Sequence, residues 1–227
     1  MKKLFAYFKH PTESIANENS ASVKSLILFY ILMQGIYLLV RIAFELVVNT
    51  NTPDIDFAQA FEKRSFWFML LVPLILEELT FRLPLKRNRI NFVIFFVIIC
   101  WIIISFSLST GLITTKRLWL RLSISIPVGL LLGYFLSYPL QKMRYGVWFY
   151  VMAFIFGLIH IFNYYGQITS FVIVLYVLLY ALNKVVFGMF LGYIRVRYSI
   201  FASIAVHFLN NFIPMSLAYI AYQQNML

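Results

Sequence analysis

The chain reads as an all-α, polytopic membrane helix bundle of about seven transmembrane helices, with a short interfacial helix at its amino end. Three observations carry that expectation. Hydrophobic residues make up 62% of the 227 positions, charged residues make up 12%, and the mean hydropathy is +0.85. A soluble domain of this length needs far more polar surface to cover itself. The apolar residues also gather in long runs of roughly 20 residues, the length that crosses a bilayer. Finally, the net charge of +11 sits in short Lys/Arg clusters between those runs. Membrane proteins orient themselves and meet anionic lipid in this way, so the lipid bilayer is the expected partner and nucleic acid is not.

Taken in order, the chain begins with Lys2-Lys3 and only five residues of apolar character, Leu4 to Phe8. A cleavable secretory signal needs an apolar stretch of about 7–15 residues. Flanked by Lys9, this segment is expected as a short helix lying on the cytoplasmic leaflet. Seven apolar runs follow, at Ser25–Val48, Phe66–Leu85, Ile90–Leu108, Leu118–Leu140, Val147–Tyr164, Ile168–Ile194 and Ser199–Tyr222. The sixth is long enough to be tilted, or broken near Asn183-Lys184. No linker or internal repeat divides them, so residues 1–227 form one helical domain, with the motifs that carry chemistry in 66–222. With the amino terminus inside, the inner connections hold eleven Lys and Arg and the outer ones four or five. That bias predicts a multi-pass protein of the cell (plasma or inner) membrane, amino terminus cytoplasmic and carboxyl terminus outside.

Some polar and small residues within the runs have plain structural roles. Arg41 and Glu45, four apart, can pair on one helix face. Gly129-x-x-x-Gly133 and Gly188-x-x-x-Gly192 allow close helix approach. Cys100, the single cysteine, reads as a small buried hydrophobe and excludes an internal disulfide.

The second run is different. Leu76-Glu77-Glu78-Leu79-Thr80-Phe81-Arg82 puts two carboxylates and a guanidinium into an otherwise apolar span. Each such group at a helix centre costs roughly 2.5–3.5 kcal/mol on insertion scales, so their retention points to use. Glu78 and Arg82 are four apart and can neutralise each other. Glu77 lies about 100° round the helix and is left free to act as a general base. Two of the three histidines, His160 and His207, also fall inside apolar runs. His207 and Asn211 share a helix face, as do Phe156 and His160, with Asn163 one turn further on. A base, a water and amide or imidazole donors facing a carbonyl make up the inventory of peptide-bond hydrolysis.

Glu77-Glu78-x-x-x-Arg82, Phe156-x-x-x-His160 and His207-x-x-x-Asn211, in that order on separate helices, resemble the motifs of the CPBP family. That family comprises the type II CAAX-prenyl endopeptidases and the bacterial Abi-type, bacteriocin-processing or immunity proteins. The resemblance implies an intramembrane endopeptidase in which Glu77 and His160 activate water. It implies that His207 and Asn211 stabilise the oxyanion, while Glu78, Arg82 and Asn163 support the geometry. A peptide or protein, one that could itself be membrane-associated, is the implied substrate. The chain departs from many relatives by two extra apolar spans between Arg82 and Phe156, which leave the direction of the next helix unchanged. His160 also falls nearer the outer end of its run than Glu77 and His207, which sit near mid-membrane.

No cofactor is favoured. Zinc could be held by Glu77, His160 and His207, but no His-Glu-x-x-His is present and an amide donates better than it ligates, so a metal-free glutamate mechanism is preferred. Two other classes fit parts of the pattern. One is a non-catalytic membrane immunity or scaffold protein. The other is a proton-coupled transporter, although the chain has no inverted repeat and no pair of Gly/Pro-broken helices.

Overall fold

The structure, a computed structural model, describes residues 1–13, 21–48, 61–109 and 116–224. Among these the protein is all-α and without strands. Its helices are α1 (Lys2–Lys9), α2 (Val23–Val48), α3 (Phe66–Phe81), α4 (Arg89–Ser107), α5 (Leu118–Lys142), α6 (Tyr145–Ile159), α7 (Phe171–Arg197) and α8 (Ile200–Gln223). Two 3-10 turns, Leu83–Leu85 and His160–Tyr164, extend α3 and α6. Six of the helices are long and apolar enough to cross a membrane. The remaining predicted run, α3, has 16 residues and a length of about 24 Å. It is the helix that carries the two glutamates.

The second run was expected to stay helical to Leu85, and here the structure differs. Pro84 lacks an N–H and disfavours helical geometry in the residue before it, so the α-helix stops at Phe81. The carbonyls exposed by this stop are met by side chains from three other helices. Arg195 Nε donates to the Arg82 carbonyl at 3.3 Å, Trp148 Nε1 to Pro84 at 3.1 Å and Asn91 Nδ2 to Lys86 at 2.6 Å. These donors pair carbonyls that the break takes out of the helical ladder.

The long sixth run is not broken. α7 continues through Asn183 and Lys184 for 27 residues, about 40 Å against a hydrocarbon core of about 30 Å, long enough to span with some tilt or to end among the lipid headgroups. Serine and asparagine set several helix starts: Asn88, Ser170 and Ser199 each accept a hydrogen bond from the backbone N–H three residues on.

Small residues decide which helices touch. A Cβ on Gly129 would overlap the Val97 Cα and one on Gly133 would lie 2.6 Å from the Val93 Cα, so α4 and α5 pack antiparallel along those glycines. α6 and α7 repeat the device, with Gly188 against Ala153 and Phe156 and with Gly157 against Ala181 and Val185. α3 lies against α8, where Phe66 meets Phe212 and Tyr219. α1 was expected on the lipid surface. It also packs against protein: Leu4 is fully buried and the Tyr7 ring meets Phe149 and Tyr193, while Phe5 stays exposed. The predicted Arg41–Glu45 pair forms at 2.9 Å, and Cys100 is buried.

Candidate active site

The site is built where α3, α6 and α8 meet. Glu78 is fully buried, and its Oε1 accepts a hydrogen bond from His207 Nδ1 at 2.8 Å. A carboxylate only accepts, so the proton of this bond belongs to the imidazole. The His207 Nε2 then faces Glu77, 3.5 Å from Oε2. His207 thus stands between the two carboxylates of the doublet.

Arg82 closes the other side of Glu78, with Nε 3.6 Å from the same Oε1. This is the i,i+4 pair expected from the spacing. Its guanidinium is fully buried, makes no hydrogen bond from its own nitrogens among the described residues, and rests 3.7 Å from the centroid of the Phe156 ring. Phe156 is also fully buried and organises the aromatic side of the site. Its ring centroid lies 4.6 Å from that of His160 and 6.0 Å from that of His207. Gly188 makes room for it, since a Cβ there would fall 2.9 Å from Phe156 Cδ1.

His160 occupies the junction between α6 and its 3-10 extension. Its Nδ1 lies 2.7 Å from the Phe156 carbonyl, to which it donates, so a neutral ring presents Nε2 as an acceptor. Glu77, Thr80, His160 and Asn163 line one cavity of about 870 Å³ between α3, α4 and α6. The rest of its wall is apolar, with Leu76, Phe95 and Ile155 among the contributors. The difference in depth expected between Glu77 and His160 is therefore small enough for both to border one space.

The other predicted residues are placed less centrally. Asn163 borders the cavity but is otherwise exposed. Asn211 lies one turn beyond His207 on α8, and its Oδ1 accepts from Asn210 Nδ2 at 3.0 Å. Its amide does not border the cavity that Glu77 and His160 share. Glu78 has, besides the expected Arg82, a second partner that the spacing did not indicate: it orients His207 from 129 residues away.

Sequence reasoning missed two neighbours of the site. Thr80 is buried beside Glu77, and its Oγ1 has no hydrogen-bond partner among the described residues. The Lys184 ammonium lies 5.2 Å from the Tyr180 ring centroid, and the Tyr180 ring is 6.3 Å from that of His160. The signal for Thr80 was its i+3 spacing from Glu77; for Lys184 it was a charge in mid-span.

The donor types of Glu77, His160 and His207 suit zinc, yet they do not cluster as a three-ligand group among the described residues. Comparison of the chain with protein-family models, with curated proteins and with solved structures finds no match in any of the three.

Proposed function

We propose that this multi-pass membrane protein is an intramembrane endopeptidase of the CPBP type, working by a glutamate-activated water. One observation carries the proposal: Glu77, with His207 Nε2 3.5 Å from its carboxylate, borders the same cavity as His160. A carboxylate and an imidazole on one mostly apolar cavity, with a second imidazole behind the carboxylate, are suited to activating water next to a carbonyl.

In this mechanism Glu77 accepts a proton from a water held by His160 Nε2. The hydroxide attacks the scissile carbonyl carbon, and the CPBP resemblance assigns donation to the oxyanion that forms to the Asn211 amide, which stands on α8 outside the lining of that cavity. Glu77 then returns the proton to the leaving amine as the C–N bond breaks. His207, held by Glu78, keeps its Nε2 against Glu77 through both transfers, and Arg82 compensates the charge of Glu78. The enclosure favours a peptide or protein with apolar side chains, delivered from the membrane. The surplus of Lys and Arg in the inner connections supports an amino terminus in the cytoplasm and a carboxyl terminus outside.

The test is incubation of the purified protein in detergent with a peptide library, with and without a chelator, followed by identification of products. Cleavage by the wild type, insensitive to chelator and lost in Glu77→Gln, is the expected result. Loss of cleavage on chelation would favour zinc chemistry. If wild type and Glu77→Gln produce no cleavage at all, the endopeptidase proposal fails. Retained immunity function in Glu77→Ala, His160→Ala and His207→Ala would then favour a non-catalytic membrane protein.

A further inference from the structure

α2 lies outside the stretch that holds the motifs, and most of its length faces outward. Two of its side chains nonetheless reach α8 beside the site. Tyr30 and Gln34 are four apart and so share one helix face. The Tyr30 hydroxyl and the Gln34 Nε2 both donate to Asn210 Oδ1, each at 2.9 Å. An amide oxygen has two lone pairs, and here both are taken. The Asn210 side chain is thereby held with its NH2 turned away from α2, and that NH2 donates to Asn211 Oδ1 at 3.0 Å. The Asn211 oxygen is occupied in turn, while its own NH2 donates to no described residue.

Pro214 adds to the local arrangement. It has no N–H for the Asn210 carbonyl four residues earlier, so the helix is loosened at this turn. Side-chain hydrogen bonds from α2 then help to hold the Asn210-Asn211 pair.

We propose that Tyr30 and Gln34, acting through Asn210, are positioning residues that hold the Asn211 side chain with its oxygen occupied and its NH2 left to donate. The inverse arrangement would present the Asn211 oxygen, which repels a developing oxyanion. The catalytic meaning of this relay rests on the endopeptidase proposal; the relay itself does not.

Two measurements test it. In kinetics, the Tyr30→Phe/Gln34→Met double variant should lose roughly ten- to hundredfold in kcat, as expected for a misplaced donor, with KM within about twofold. That loss should vanish when Asn211 is already alanine, whereas a general packing defect would persist there. In nuclear magnetic resonance with asparagine labelled by nitrogen-15, the Asn211 NH2 pair is assigned by its disappearance in Asn211→Ala. It should shift in the double variant. Unmoved Asn211 signals, or a kcat loss that remains undiminished in the Asn211→Ala background, overturn the relay. If the wild type cleaves nothing, the endopeptidase proposal fails and the resonance measurement still decides the relay.

Discussion

The guanidinium of Arg82 rests 3.7 Å from the centroid of the Phe156 ring, with both side chains fully buried. An aromatic face in a water-free setting is worth about 2 kcal/mol or more to a cation. Here it supplies what hydrogen bonds do not, since the guanidinium nitrogens donate to none of the described residues. Phe156→Leu keeps much of the volume and removes the ring. It should cost about 1–3 kcal/mol of stability, read as a lower Tm in detergent.

Glu78 and Arg82 form a buried pair, so breaking it from one side leaves a charge without its partner. Glu78→Gln and Arg82→Gln should each cost about 3–5 kcal/mol. The double variant should cost clearly less than their sum, as measured by a denaturation cycle in mixed micelles. Additive losses would show that the two charges do not depend on each other.

Glycine substitutions separate tight helix contacts from open ones. A Cβ on Gly157 would overlap Val185 Cγ2 and lie 2.7 Å from the Ala181 carbonyl oxygen, whereas one on Gly35 meets nothing within 4 Å. Gly157→Ala should therefore destabilise by about 1–3 kcal/mol through overpacking. Gly35→Ala, in mid-helix, should be neutral or stabilise by up to about 1 kcal/mol. Parallel melting curves of the two variants check the contrast.

Trp148 holds the end of α3 through the bond from its indole N–H to the Pro84 carbonyl, while its ring packs edge-on against Phe92. Trp148→Phe keeps an aromatic and deletes the donor. It should lower stability by about 1–3 kcal/mol by orphaning the carbonyl. Hydrogen exchange should rise at Leu85 and Lys86, whose amides bond across that turn.

The features legible in the sequence are those with a period or a local spacing. Hydropathy located the spans to within a few residues, because a lipid-facing helix must be apolar over its whole length. The Glu78–Arg82 and Arg41–Glu45 pairs followed from i,i+4 geometry. What could not be read was contact between distant segments. Nothing in the neighbourhood of Glu78 announces His207, and nothing in α2 announces Asn210. The burial of Leu4 and Tyr7 was hidden for a related reason: an amphipathic helix looks the same whether its apolar face meets lipid or protein. The junction at His160 has no composition signal, since its 3-10 turn continues the same apolar run.

The separation of 129 residues between Glu78 and His207 also has a meaning in time. At about 5–20 residues per second, the ribosome delivers the histidine roughly 6–26 seconds after the glutamate. Through that interval α8 does not yet exist, and Arg82 is the one partner already at hand for Glu78. The four-residue spacing therefore lets the Glu78 charge enter the bilayer already matched, long before the fold it will serve has been synthesised.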